Sequence, residues 1–417
     1  MPFSPLYLIG LFVLGTCAGS LANLGIYRLA WHPRRIGPWW RPDQKAPPRR
    51  WHDRLPIVGW LGLRREAALH GRGFWIRPML LELLCGIAFA ALYWWEIGRA
   101  GLLPPEVPRA LPADWIAVLH CQYAAHLILI ALMLVASAID VDEKIIPDAI
   151  TMPGTLLGLL VACLLPSSLL PDVIPERGGM ALDFLHLASP HPWPPQLEGF
   201  PHAGSLAIGL GCWWLWCAAL LPRTWYARHG WRRALQLCVA RVVRQPATYR
   251  ILVMGLVGTA GIAAVWRFGG LGWMGLLSAL VGMAVGGGLI WMVRIIGSAA
   301  LQKEAMGFGD VTLMAMIGAF LGWQTCLVVF FIAPLAGLVV GLLQLILVRD
   351  NEIPYGPFLC LAAVVTIVFW AAIWERIWPI MALGDGWFVP LIVLACLGLM
   401  GIMLGLWHQL VTRLFRR

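Results

Sequence analysis

Charge is scarce in this chain of 417 residues. Asp, Glu, Lys and Arg together make up 12% of it, about half the share of a water-soluble domain, against 60% hydrophobic residues. Mean hydropathy is +0.77. No polar stretch between the apolar runs is long enough to hold a soluble domain of roughly 100 residues. Soluble enzymes, secreted disulfide scaffolds and nucleic-acid-binding domains are excluded on that ground. Cysteine pairing is missing as well: there are ten Cys, no C-x-x-C, and six of them (Cys85, Cys163, Cys212, Cys217, Cys326, Cys396) sit inside apolar runs. Neither a disulfide framework nor a zinc ribbon follows from that pattern. Ahead of the first apolar run there is no basic region, and after it no small-residue cleavage site, so Leu6 to Tyr27 is read as a retained span.

What remains is an all-α, polytopic helical membrane bundle. About eleven apolar runs reach or approach the length that crosses ~30 Å, beginning near residues 5, 78, 115, 148, 203, 251, 272, 311, 325, 357 and 388. The run from Val311 to Trp323 is short, which calls for tilt, protein-buried ends or thinned lipid. The net charge of +10 comes from Lys and Arg in the short loops, where it reports orientation rather than an anionic ligand. The loop 31–77, with Arg34, Arg35, Arg41, Lys45, Arg49, Arg50, Arg54, Arg64, Arg65, Arg72 and Arg77, is then cytoplasmic and the N-terminus outside. Alternation from there puts Asp140 to Pro147, Arg223 to Arg250, Arg294 to Gly309, Arg349 to Pro354 and the C-terminal tail with Arg413, Arg416 and Arg417 on the cytoplasmic side. The opposite loops, Gly101 to Asp114 and Pro166 to His202, are Pro-rich and poor in Lys and Arg. Three regions are expected: a first span at 1–30, the basic loop 31–77, and a membrane domain at 78–417.

Carboxylates at membrane depth are costly, about 2.5–3.5 kcal/mol for Asp at a helix centre, so they are inspected first. Asp140 closes a long apolar run and is followed by Asp142, Glu143 and Lys144, with Pro147-Asp148 suited to open the next helix. Asp310 ends Gly307-Phe308-Gly309-Asp310, where the two glycines let the backbone approach a neighbouring helix or an extended peptide. The topology places Asp140 and Asp310 on one membrane face. Two carboxylates held close in a partly dry site share a proton, so that one acts as acid and the other as base toward a water attacking a peptide carbonyl. A G-x-G-D tetrad in a chain with 45 Gly is short, and Asp at a helix start is ordinary capping; the two places together carry the argument.

The surrounding words resemble the type IV prepilin peptidases. They are Gly19-Ser20, Asn23 and Tyr27-Arg28-Leu29; Leu55-Pro56-Ile57-Val58-Gly59-Trp60-Leu61; Ile139-Asp140; Ile146 through Pro153; Lys303 through Leu313; Ile317 through Trp323; and Ile353 through Leu359. The resemblance implies a membrane aspartic endopeptidase of the bacterial inner membrane with Asp140 and Asp310 as the catalytic pair. Asp142 and Asp148 correspond to accompanying acidic positions that shape the turn and contact substrate. The implied partners are the bilayer and a prepilin or pseudopilin with a basic leader and a hydrophobic helix. No cofactor or metal is implied for hydrolysis, and no nucleic acid as partner.

Two departures stand out. Many members carry paired C-x-x-C motifs in the first cytoplasmic loop, associated with a metal and with N-methylation of the product from S-adenosylmethionine; here Arg41 to Arg77 contains no Cys. That puts the methyltransferase activity in question. Between Asp140 and Asp310 there is also an insert at about 166–270, read as two additional spans joined by the basic loop, an even number being what keeps Asp310 on the side of Asp140. The rival reading, a transporter or assembly scaffold, calls for inverted halves and midplane charges, which the chain does not present.

The remaining polar residues are expected to be structural. Glu82 is matched to Arg77, His120 and His126 to contacts between helices, and His186, His191, His202, Asp183 and Glu198 to an outer loop without standard metal spacing. Trp213, Trp214 and Trp216 are expected to pack.

Overall fold

A computed structural model describes residues 5–108, 111–176, 179–221, 240, 244–301, 306–347, 354–383 and 388–415. The basic stretches at 223–239, 241–243 and 349–353, and Arg416 and Arg417, lie outside the described residues.

Helix α1 (Pro5–Leu29) is followed by the basic loop with short helices α2 (Val58–Leu63) and α3 (Ala67–His70), then α4 (Ile76–Tyr93), α5 (Ala113–Glu143) and α6 (Asp148–Leu164). Strands β1 (Pro171–Glu176) and β2 (Gly179–Phe184) come next, then α7 (Ala203–Ala219), α8 (Pro246–Phe268), α9 (Gly270–Leu301), α10 (Phe308–Leu321), α11 (Trp323–Leu347), α12 (Gly356–Val368), α13 (Trp370–Met381) and α14 (Phe388–Phe415). Among the described residues, six helices are long and apolar enough to cross a membrane, or seven if the bent pair α12–α13 is one span. Four shorter apolar helices accompany them. A helix occupies each of the eleven apolar runs.

Helix α10 lies at the centre of the bundle. All twelve of its residues from Asp310 to Leu321 are buried, which is how a helix of 14 residues, roughly 21 Å, satisfies itself without meeting lipid at either end. Its broadest packing is against α9. There Gly282 and Gly318 face each other so closely that a Cβ on either would enter the other's backbone carbonyl. Such glycine contacts let helices approach where lipid supplies no hydrophobic drive between them. Helices α5, α6, α11 and α12 enclose the rest of the main core, and a second core gathers Trp213, Trp216, Trp273 and Leu277 from α7 and α9. Trp213 and Trp216 pack as expected, and Trp214 lies against Gly255.

Two features amend the expected architecture. The Pro-rich loop after α6 forms an antiparallel hairpin, Pro171 opposite Phe184 through Glu176 opposite Gly179. Val173 and Leu182 pair across it and turn toward the core while Asp172 and Asp183 alternate with them, a two-residue period. The apolar run from residue 357 is also not one straight helix: it bends by 90° between α12 and α13. Beyond Phe369, α13 turns Trp370 and Trp374 inward and leaves Glu375 and Arg376 exposed, the pattern of a helix lying along a membrane surface.

The basic loop is closed by charge. Arg49 donates to both carboxylate oxygens of Glu66 at 2.8 and 2.9 Å and to the carbonyls of Gly37 and Trp40 at 2.9 and 2.8 Å. Arg65 pairs with Asp53. Both carboxylates are buried, so each needs its guanidinium.

Candidate functional site

Helix α5 runs past Asp140 to Glu143 and is ended by Lys144 in the left-handed conformation, φ 56°. This stop turns the chain within four residues so that Pro147 and Asp148 open α6. Pro147 supplies extended backbone just before the helix and Asp148 an acidic first turn. The turn is braced from the basic loop. Glu143 accepts from the Trp31 and His32 amides at 2.6 and 3.1 Å, and Asp142 receives two hydrogen bonds from Arg77 at 2.6 and 2.8 Å.

Asp140 points inward, 5% exposed, and its Oδ2 accepts from the Gly356 amide at 3.1 Å at the start of α12. Asp310, 7% exposed, lies in the first turn of α10 with its carboxylate close to Gly307. The two carboxylates are within electrostatic range of each other, and both act on Cys360. Ile146 is the joint between them. A Cβ on Gly309 would stand 2.8 Å from the Cβ of Ile146, and one on Gly356 would stand 2.8 Å from its Cδ1 and 2.6 Å from Oδ2 of Asp140. Three backbone segments therefore meet only because two of the residues lack side chains. The Thr151 hydroxyl donates to Thr312 at 3.1 Å, and Thr312 donates to the Gly309 carbonyl at 3.0 Å, which ties α6 to α10 beneath the carboxylates. The arrangement presents two buried carboxylates beside a glycine-edged backbone, chemistry suited to activating water against an amide.

Of the expected site residues, Asp140, Asp310, Gly307 and Gly309 come together. Asp142 is occupied by Arg77, and Asp148 is exposed at the start of α6. Contrary to the expected pairing, Arg77 therefore does not serve Glu82. Glu82 is fully buried and accepts from the Ile57 amide at 2.6 Å, Trp60 Nε1 at 2.8 Å and Asn23 Nδ2 at 3.2 Å. It pins the basic loop to α1 and α4, and holds Ile57 at φ 63°, a conformation a β-branched residue rarely takes. Asn23, Ile57 and Trp60 stood in the sequence words above without a role; what they share is this one carboxylate. The Gly356 contact was likewise not foreseen. His120 bonds Tyr93 and His126 bonds Glu96 at 2.8 Å, both between helices.

No group of three or more His, Cys, Asp or Glu suited to a metal ion occurs among the described residues. In the basic loop the buried carboxylates of Asp53 and Glu66 are already taken by Arg65 and Arg49, and no thiol is present, so its donors do not fit a metal.

Two family models match in chain order: the Bacterial Peptidase A24 N-terminal domain over residues 13–96 and the Type IV leader peptidase family over residues 239–342. Both matches are to peptidase A24 models, and together they cover the start and the later part of the chain. The second match includes Gly307 to Asp310, whereas Asp140 falls between the two. A Prepilin leader peptidase/N-methyltransferase of Myxococcus xanthus is 24% identical over 344 residues, 82% of this chain and 65% of that protein. Proteins of the same name from Aeromonas salmonicida and Legionella pneumophila are 33% identical over 102 residues and 39% over 71. These alignments span 35% and 24% of the relatives' lengths and 24% and 16% of this chain. The chain thus spans just under two thirds of the Myxococcus relative and about a third or less of the others. No solved structure matches.

Proposed function

We propose that the chain is a membrane aspartic endopeptidase that removes the leader from type IV prepilins or pseudopilins at the cytoplasmic face of the bacterial inner membrane. The observation that carries this reading is the joint burial of Asp140 and Asp310 across Ile146, at an end of the bundle where glycines 307, 309 and 356 leave backbone exposed to close approach. The two family-model matches and the relatives' names support prepilin processing. The eleven helices all cross or enter the bilayer, with the N-terminus outside and the C-terminus cytoplasmic, so that the basic loop 31–77 stands beside the aspartates. Residues 78–417 form the peptidase domain, in which 166–270 is an insert.

The substrate's basic leader lies in the cytosol and its hydrophobic helix in the lipid, which brings the scissile bond to the boundary where α5 ends. One carboxylate of the pair is ionised and removes a proton from water. The resulting hydroxide attacks the peptide carbonyl, and the protonated partner gives its proton to the departing amine. Asp142 and Asp148, beside the opening, shape it and face the leader. The relatives' names also carry N-methyltransferase, so methylation of the new N-terminus enters the same proposal, although the loop lacks the cysteines associated with it.

Co-expression of a prepilin-type substrate with the wild type, Asp140→Ala and Asp310→Ala tests this. A mobility shift seen with the wild type and lost in both variants supports the pair, and an added methyl mass on the product N-terminus reports transfer. No cleavage by folded wild type contradicts the peptidase reading.

A further inference from the structure

A sizeable cleft outside the aspartate site lies at the other end of the bundle. Helix α6 starts beside Asp140 and runs 17 residues, roughly 25 Å, before the chain enters β1. Helix α12 likewise starts at the aspartates and ends where α13 bends away by 90°. Between β1, α13 and the loop around Leu102 to Glu106 is a cavity of about 380 Å³. That is the size of a small-ligand site.

Its walls are aromatic and its rim acidic. Trp370, Trp374 and Trp378 recur every fourth residue along one face of α13, and the first two are stacked with ring centroids 5.1 Å apart. Their orientation is fixed: Trp370 Nε1 donates to the Pro171 carbonyl at 2.8 Å and Trp374 Nε1 to Asp172 at 2.9 Å. Trp378 is 40% exposed at the lip. Glu106 and Glu375 line the same cavity from opposite elements, both exposed, and neither has an ion-pair partner among the described residues. Indole faces attract cations, and a primary ammonium also offers N–H donors to carboxylates. Because α13 is amphipathic and perpendicular to the span before it, the cavity stands at headgroup level.

We propose that this cavity holds the ammonium headgroup of an amine-bearing zwitterionic phospholipid in the leaflet opposite the aspartates. The ammonium rests against Trp374 and Trp378 and bonds Glu106 and Glu375, while the acyl chains follow the apolar side of α13. The inference rests on the membrane reading of the chain and not on its peptidase activity. It gives the bent helix and the hairpin a common role, which is to build an anchored lipid seat on the side away from the cleavage site.

The test uses the full chain purified in detergent and equilibrated with mixtures of phosphatidylethanolamine, its N-acetylated form and phosphatidylglycerol, with retained lipid read by native mass spectrometry. Wild type is expected to retain phosphatidylethanolamine at least about tenfold over either of the others, the scale of a desolvated cation–π contact. The Glu106→Gln/Glu375→Gln double variant and Trp378→Ala are expected to lose that preference with an unchanged melting temperature. Equal retention of the three lipids by wild type, or an unchanged preference in the double variant, overturns the proposal. A Trp378-dependent dimer that retains no lipid also overturns it, and makes the face a contact between copies. Cleavage of a prepilin-type substrate, measured in parallel, reports separately on the peptidase reading.

Discussion

At the residue scale the aspartate site depends on side chains that are absent as much as on those present. Gly309→Ala places a methyl group 2.8 Å from Ile146, and Gly356→Ala one 2.6 Å from Asp140 Oδ2, so each pushes an aspartate out of register. Either change is expected to lower the cleavage rate by about 100-fold, since a shift near 1 Å in a positioned group costs that much, while leaving the helical signal by circular dichroism intact. Glu82 poses the opposite case. Its carboxylate satisfies three buried donors, and Glu82→Ala strands them, so a loss of roughly 3 kcal/mol is expected, read as an earlier denaturation midpoint in detergent. In the Pro-rich loop after α6, burial lowers the pKa of His186 against the opposing pull of Asp183 and Asp172, while burial raises that of Asp172. Folded His186 therefore resists a proton that the unfolded chain accepts near its ordinary value of about 6.5, and stability falls as pH drops through that region. Asp172 acts with the other sign and further into acid, where the folded chain keeps the proton longer. Thermal melts from pH 7 to pH 5.5 are expected to decline in wild type and to flatten in His186→Asn.

At the element scale, legibility followed locality. The ends of α5 and α10 were readable because apolar runs stop there on an Asp, and both helices start or finish within a turn of the expected place. Burial of α10 was among the ways its short length was expected to be met. The hairpin was not readable, since Pro171 and Pro175 argue against a strand and its pairing serves to seat Asp172 against Trp374. The 90° bend was hidden inside a continuous apolar run, and only the contacts of Trp370 and Trp374 with β1 reveal why the chain turns there. Glu82 was misassigned because proximity in sequence favours Arg77, whereas Arg77 is drawn to Asp142 across the fold. The basic loop gives a prediction of its own. Closed by Arg49–Glu66 and Arg65–Asp53 rather than by thiols, it is expected to keep its protease resistance in EDTA and to lose it in Arg49→Ala, measured by limited proteolysis.

At the scale of the whole molecule, the two aspartates lie far apart in sequence, and of the segment between them α7 and α8 stand on α9 while the hairpin meets α13, so that neither comes between α5 and α10. These helices thus contribute to a second core beside the first without separating the pair. The bundle has two chemically distinct ends, one with paired carboxylates and glycine-edged backbone and the other with tryptophan and an acidic rim. The central claim is that Asp140 and Asp310 act as one unit, and single-turnover cleavage of a prepilin-type substrate by purified wild type, Asp140→Asn, Asp310→Asn and the double variant tests it most directly. Acting together, each single variant is expected to lose at least about 1000-fold and the double variant no more than either, because residues that work as a unit are not additive. Full cleavage by either single variant with native melting behaviour, or losses that multiply in the double variant, would contradict the claim.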